Sequence, residues 1–351
     1  MTRDIATARV DDLLSAPRVT VEAELEPLIG TRIQPTGFPN LGAAEFEVPS
    51  GQKYLLLESA QSVANRLEAT AWDDATNDLV APLKGLPYVR TSVNGTSTDS
   101  LREAHRLNSP YLYGIWPRLR ERAAIPMLTS KKGKSAKPAD GDASEGEADE
   151  ASASVDRRKL AAAVFYYDPN SVLHGVFLEK ITGLARLTRI VSGFIEATDI
   201  NLVASGGVKN DRIDPSGKAY EIEVDGSKKS GAKAGFGNVP YARSEYTAGR
   251  IAASFSLDIA LLQSYGLGIE AERLLMLLGL WKIGTFLERG ARLRTACDLV
   301  VKRDGLRITR PRAAAFPKPA ELQDEITTAI TACAKAGKFA SPAITDVPFE
   351  K

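Results

Sequence analysis

IEATDINLVASGGVKNDRIDPSG, Ile195 to Gly217, is the stretch on which the reading of this chain turns. An alternating apolar run enters a double glycine, Gly206 and Gly207, and then releases Lys209, Asn210 and Arg212 onto a loop. The segment continues through YEIEVDGSKK and GAKAGFGNVPYARSEY to Arg250. Between Ser205 and Arg250 lie eight glycines, eight Lys or Arg and six acids, so the charges nearly balance. Glycines let a backbone approach a ligand closely, cations meet phosphates, and aromatic faces such as Tyr220, Phe236, Tyr241 and Tyr246 can stack on unpaired bases, at roughly 1–3 kcal/mol each. The same composition fits a long solvated hairpin, and composition alone leaves both readings open.

Outward from this stretch, RLTRIVSGFIEATDI, Arg186 to Ile200, has the β-branched character of a sheet strand that delivers the chain to the loop. Tyr220, Ile222 and Val224 alternate with Glu221, Glu223 and Asp225 before Asp225-Gly226, which predicts a projecting hairpin with one apolar and one acidic face. Arg250 to Gly266 reads as a further core strand. IEAERLLMLLGLWKIGTFLERG is the longest predicted helix, with Gly290 as its closing residue. ELQDEITTAITACAKAG forms an amphipathic helix, in a C-terminal unit 318–351 expected to pack on the domain edge.

Toward the N-terminus, residues 1–18 read as a loose leader and VTVEAELEPL, Val19 to Leu28, as a half-buried strand. Gly30 to Gly42 is a loop around Arg32 and Gln34. Tyr54 to Glu58 is a short core strand, and Ser59 after it is a candidate N-cap. Ala60, Val63, Ala64, Leu67 and Ala71 then share one helical face, with Gln61, Ser62, Asn65, Arg66 and Glu68 opposite. A helix rising directly from a strand points its first N–H groups at any nearby phosphate. SLRE, Ser100 to Glu103, predicts the capped start of a second helix, with His105 semi-buried on or near its apolar side. Residues 129–158 carry lysines and then acids without apolar partners, and read as a disordered insertion.

At 351 residues and a formal charge of +1, the chain is a globular protein whose nucleic-acid role would have to rest on a local basic face. One such surplus is the run Glu270 to Arg312, with ten Lys or Arg against five acids. Two cysteines, Cys297 and Cys333, and two histidines, His105 and His174, give no metal-ligand spacing and no disulfide framework, so no cofactor is expected. A reducing, cytoplasmic setting fits. The charged N-terminal residues lack the pattern of a signal peptide, and the longest apolar run, Leu274 to Trp281, is too short to span a bilayer, so no membrane partner is expected. Phosphate-loop, nucleophile-elbow, HExxH and CxxC patterns are all missing, which favours a binding protein over an enzyme.

Five strings occur in one order: GTRIQPTGFPNLG from Gly30, LLLESAQSVANRLEA from Leu55, LREAHRLNSPYL from Leu101, DPNSVLHGVFL from Asp168 and SGGVKNDRIDP from Ser205. Together they resemble the backbone subunit of type I-G (formerly I-U) CRISPR surveillance complexes, the Cas-seven group of RAMP proteins. The resemblance implies an α+β fold, with an RRM- or ferredoxin-like palm formed by 19–128 and 159–317 and long insertions serving as fingers and a thumb. It implies copies of the chain stacked along the spacer of a CRISPR RNA, presenting bases to target DNA beside a Cas-five/Cas-six-like subunit and a large subunit. Sequence is then read by pairing, and the protein needs phosphate contacts more than base contacts.

Carried onto this sequence, the resemblance selects Arg32, Ser59, Gln61, Asn65, Arg66, His105, Arg106, Lys209, Asn210 and Arg212 for RNA binding. The loop's acids would then face a neighbouring copy. Relatives in type III systems cut RNA with a loop aspartate, so a metal-dependent endoribonuclease using Asp211 or Asp214 is the alternative.

Overall fold

The computed structural model describes residues 9–38, 42–125, 155–179, 181–182, 185–209, 221–224, 227–230 and 239–349. Its centre is an eight-stranded sheet. Numbered within that sheet, the strands are β1 (Arg18–Pro27), β2 (Glu45–Glu47), β3 (Lys53–Glu58), β4 (Val191–Lys209), β5 (Val239–Asp258), β6 (Ala291–Arg294), β7 (Cys297–Arg310) and β8 (Ala314–Ala315). They lie in the order β6-β7-β1-β5-β4-β3-β2, with β8 paired to β7, and every pairing is antiparallel. The fold is thus mixed α and β on a central antiparallel sheet.

The sequence pattern explains the layering. In β1, Val19, Val21, Ala23 and Leu25 are buried while the residues between them are not, so one face packs on the core. Helix α7 (Ile269–Glu288) is apolar on nearly every side because it is enclosed, with the core beneath it and helix α8 (Pro319–Lys335) over it. Gly279 permits this approach: a Cβ there would meet Leu257 Cδ2 at 2.5 Å. Gly290, at φ +76°, closes α7 as the sequence predicts. In α8, Leu322, Ile326, Ala329, Ile330 and Cys333 are buried, the face expected from its period.

Helix α2 (Ala60–Ala69) begins at Ser59, whose side chain accepts from the Ser62 N–H at 3.3 Å. Val63, Ala64 and Leu67 are buried, as predicted, and Glu68, expected on the opposite face, is buried with them. Among the described residues, no helix is long and apolar enough to cross a membrane.

Several expectations change. The leader is not loose from residue 10 onward: α1 (Val10–Leu14) buries Val10, Leu13 and Leu14, and Asp11 pairs with Arg273 of α7. SLREAHRLN is not an α-helix. Asp99, not Ser100, caps the turn by accepting from the Leu101 and Arg102 N–H groups, and short 3-10 turns follow at Arg106–Asn108 and Pro110–Ile115, leading into α3 (Trp116–Ala123). Val155 is described and Asp156 caps α4 (Arg157–Tyr167), so the insertion ends earlier than 158; residues 129–154 lie outside the described residues. The strand read across Arg250–Gly266 stops at Asp258, which caps α6 (Ile259–Ser264). Strands β6 and β7 carry no clear alternation and are unforeseen. Their charges are largely paired: Lys302 with Glu24, Arg307 with Glu22 and Arg294 with Glu58.

Candidate nucleic-acid interface

The opening stretch is a long antiparallel ribbon. Strands β4 and β5 pair from Val191↔Leu257 out to Lys209↔Val239. Inside the sheet they are flanked by β1, which reaches Ile251, and by β3, which reaches Thr198. Beyond that, Ile33 bridges Tyr246 in both directions, and past this bridge the two strands' backbones pair only with each other among the described residues. Within the ladder Asp199 is held at φ +54° opposite Gly249, where a Cβ would lie 2.9 Å from the Asp199 side chain, so glycine is required there. The ten residues from Ile200 to Lys209 reach roughly 30 Å at strand rise. Along this arm Leu202, Val208 and Tyr241 are exposed, and Lys209 is the outermost described residue of β4. Glu221–Val224 pairs antiparallel with Ser227–Ser230, as a hairpin closed at Asp225-Gly226 requires; Asp225 and Gly226 themselves lie outside the described residues. Asn210, Arg212, Asp211 and Asp214 lie outside the described residues.

Arg32 belongs to the base of this arm. It donates to buried Glu245 at 2.7 Å and to Ser205 at 3.3 Å, while Gln34 reaches the other Glu245 oxygen at 3.3 Å. Burial raises the Glu245 pKa, and hydrogen bonds from Ser205 and Gln34 with the charges of Arg32 and Arg243 outweigh it, so the carboxyl stays below its usual range. Arg32 therefore braces the arm.

The α2 candidates divide. Arg66 turns inward to Glu58 at 2.9 Å and to the carbonyls of Arg292 and Leu293, tying α2 to β6. Arg106 is buried, contrary to a surface role, and forks onto Glu68 while donating to Gly175 O at 3.1 Å. Ser59 is occupied by its cap, and Asn65 is exposed. His105 is exposed rather than semi-buried.

Gln61 and His105, far apart in sequence, meet across a cleft of about 420 Å³. Facing them are two arginines that the sequence marks only as part of a strand, Arg186 and Arg189. Arg189 donates to Ala60 O at 3.0 Å and to Gln61 Oε1 at 2.8 Å, which holds a half-buried cation against the first turn of α2. Burial, and then the nearby Arg106, pull its pKa below the usual guanidinium value. An anion in the cleft would offset both effects. Arg186 lies over the Phe177 ring, 4.3 Å from its centroid. The available signal is the spacing of Arg186 and Arg189 just before a strand.

Under the cleft runs a buried polar chain that the sequence does not disclose. Glu68 accepts from Asn170 at 3.0 Å, Asn170 Oδ1 accepts from Lys282, and Lys282 Nζ lies 3.1 Å from His174 Nε2. Burial lowers the Lys282 pKa to about 8, against the pull of Glu68 and Asp168. Burial, then the charges of Lys282, Arg106 and Arg189, hold His174 well below its ordinary range, so the ring is neutral. Since Lys282 donates to Nε2, the ring hydrogen sits on Nδ1. Asp168 caps α5 (Pro169–His174), its pKa raised by burial to about 6. No group of three or more metal-ligating side chains occurs among the described residues.

The fold defines the class first: an α+β chain on an antiparallel sheet, with a basic cleft and a projecting ribbon. The model of the family CRISPR-associated protein GSU0053 (Cas_GSU0053) matches residues 19–202, more than half of the chain. The chain belongs to that CRISPR-associated family. A solved chain described as "CRISPR RNA-guided surveillance complex, pre-nicking" is similar over 77% of this chain and 71% of its own, at 14% identity and a TM-score of 0.35. No curated protein matches.

Proposed function

We propose that this chain is a guide-RNA-binding backbone subunit of a type I CRISPR surveillance complex, stacking with further copies of itself along the spacer. The observation that carries the reading is the convergence of Arg186, Arg189, Gln61 and His105 on one cleft, in a member of a CRISPR-associated family. In this reading β7-β1-β5-β4, with α2 and α7, is an RRM- or ferredoxin-like palm. The β4–β5 arm is the thumb or finger that reaches a neighbouring copy, and Lys209, Asn210 and Arg212 grip the RNA backbone near its tip. The guide is presented to target DNA, and the remaining subunits, Cas-five/Cas-six-like and large, cap the assembly.

The cleft supports RNA because it joins fixed cations to an aromatic face, a pairing suited to phosphates and unstacked bases together. A gel shift at low salt with CRISPR RNA of increasing length tests the proposal: a ladder of bands should form as copies add. No shift at any length, even with the partner subunits present, would overturn it. The subunit is proposed to be non-catalytic. Metal-dependent cutting of complementary RNA, lost in Asp211→Ala, would instead establish the endoribonuclease.

A further inference from the structure

We infer that the central sheets of successive copies meet head to tail: Arg303 of one copy seats its guanidinium on the sheet face of the next, against Glu196, Phe194 and Tyr54. This rests on the stacking of copies proposed above and deepens it by naming residues that join them.

The receiving surface is the sheet face turned away from the core. On β4, Ile195 and Ala197 are buried, so Phe194 and Glu196 belong to the opposite side. The ladder sets Leu56 opposite Glu196 and Tyr54 opposite Thr198, and Phe46 stacks on Tyr54 with ring centroids 5.3 Å apart. Phe46 is 41% exposed and Phe194 39% exposed, so this flank of the sheet presents aromatic rings to water.

The charges divide the same face in two. On the β7-β1-β5 half, Glu22 pairs with Arg250 and Arg307, Glu24 with Lys302, and Asp258 with Arg18. Glu196, on the aromatic half, is half-buried, and its carboxylate meets no cation and no hydrogen-bond donor among the described residues. Burial alone raises its pKa. A lone carboxylate on a face of aromatic rings repels phosphate and suits arginine, whose planar cation stacks on the rings while it donates to the oxygens.

The same chain carries a cation built to be presented. In β7, Lys302, Arg303, Asp304 and Gly305 stand opposite the single residue Glu24, because the register passes from Ala23↔Leu306 to Leu25↔Val301. Asp304 is held at φ +58°, and a Cβ at Gly305 would lie 2.9 Å from Lys302 O and 3.0 Å from Glu24 O. Lys302 anchors the bulge to Glu24 at 2.6 Å. At its tip Arg303 is 97% exposed, with the adjoining Asp304 carboxylate 4.0 Å away. Bulges of this kind re-aim a side chain. Arg303 and Glu196 are three strands apart in the order β7-β1-β5-β4, so their contact between copies joins two different surfaces and extends into a filament.

The test is a gel shift at low salt, with full-length protein on a short RNA that holds one copy and on a long RNA that holds several. Arg303→Glu and Glu196→Gln are each expected to raise the protein concentration needed for the second and later bands about fivefold, with short-RNA affinity kept within about twofold. Arg303→Glu alters an exposed side chain and Glu196→Gln keeps its shape, so both variants fold. Glu196→Arg should be defective alone and recover the ladder when mixed with Arg303→Glu, because alternating copies then match opposite charges at every contact. An unchanged ladder in Arg303→Glu would overturn the contact, as would a mixture that stays defective although both variants bind short RNA normally; RNA binding would stand. A parent protein that binds short RNA but forms no ladder would overturn the contact and the stacking together. Failure of the parent to bind either RNA would overturn the proposed function and this contact with it.

Discussion

Arg106 clamps Glu68 with two parallel hydrogen bonds, Nε to Oε1 at 2.5 Å and Nη2 to Oε2 at 2.6 Å, and both side chains are buried. This bidentate pair fastens the 3-10 turn after His105 to the underside of α2, directly beneath the basic cleft. Removing one partner leaves the other a buried charge without its bidentate counter-ion, held only by Asn170 on Glu68 or by Gly175 O on Arg106. Arg106→Ala is therefore expected to lower stability by about 3–5 kcal/mol, and replacing both by apolar residues, Arg106→Met with Glu68→Leu, to cost less than either single truncation. Urea denaturation measures this. A loss under about 1 kcal/mol for Arg106→Ala would mean that the clamp is not structural.

Arg186 and Arg189 should behave in the opposite way. Each lines the cleft and is at least partly open to solvent, so Arg186→Ala with Arg189→Ala is expected to weaken binding to every RNA sequence. The salt slope should fall by about 0.7 for each phosphate of the single strand that the variant no longer neutralises. Arg66→Ala, by contrast, breaks the tie to Glu58 and β6, and should lower the urea midpoint with little change in salt slope. If Arg66→Ala moved the slope as much as the cleft pair, the division between bracing and binding arginines would be wrong.

Past the Ile33–Tyr246 bridge the backbones of the β4–β5 arm pair only with each other among the described residues, so it can be shortened there without touching the core. Deleting residues 205–243 and joining Ala204 to Ser244, which face each other in the ladder, through an Asn-Gly turn keeps Glu245 and its hydrogen bond from Gln34. The shortened protein is expected to unfold within a few degrees of the parent and to bind short RNA through the cleft, but to form no ladder of higher bands on long RNA. Loss of folding would show that the arm is part of the core.

Buried Lys282 makes stability depend on pH. Its pKa falls to about 8 in the fold from 10.5, because burial disfavours the ammonium; Glu68 and Asp168 oppose the shift, Arg106 adds to it, and Asn170 and His174 meet the Nζ. The unfolded chain then holds this proton more tightly. Between about pH 8 and 10.5 the unfolded state carries more protons, so this lysine's contribution makes the fold more stable as pH rises through that window. Urea midpoints of the parent relative to Lys282→Met should rise across it. A flat or falling difference would contradict the assignment.

Much of the scaffold is legible in the sequence because burial there is one-sided. Val19 to Leu25, the α2 face under Ser59 and the α8 face around Ile326 all carry the period of their element. Strand β7 is hidden because Lys302 and Arg307 answer acids on β1 across the sheet, which sets charges where alternation would otherwise stand. The arm is half legible: Asp225-Gly226 carries a turn signal, but apart from Glu245 and Tyr246 at its base the ribbon has no buried face, and Leu202, Val208 and Tyr241 are exposed, so nothing announces its length. Of the site, Gln61 and His105 are marked by the family strings, whereas Arg186 and Arg189 are marked only by their spacing just before a strand. Arg66 and Arg106 stand out as cations, yet the carboxylates that bind them, Glu58 and Glu68, are neighbours only in space or on the helix's buried side. Pairing in three dimensions is what separates a bracing arginine from a binding one, and no one-dimensional pattern carries it.

The salt dependence of RNA affinity tests the central claim most directly. Fluorescence anisotropy with one guide-length RNA, repeated across a salt series, should give a log affinity that falls linearly with log salt at about 0.7 per phosphate contacted, as counterions are released from a single strand. A steep slope that becomes shallower in the Arg186→Ala, Arg189→Ala variant is the predicted result. Binding that is absent at the lowest salt, or that does not change along the series, would contradict an RNA-binding backbone.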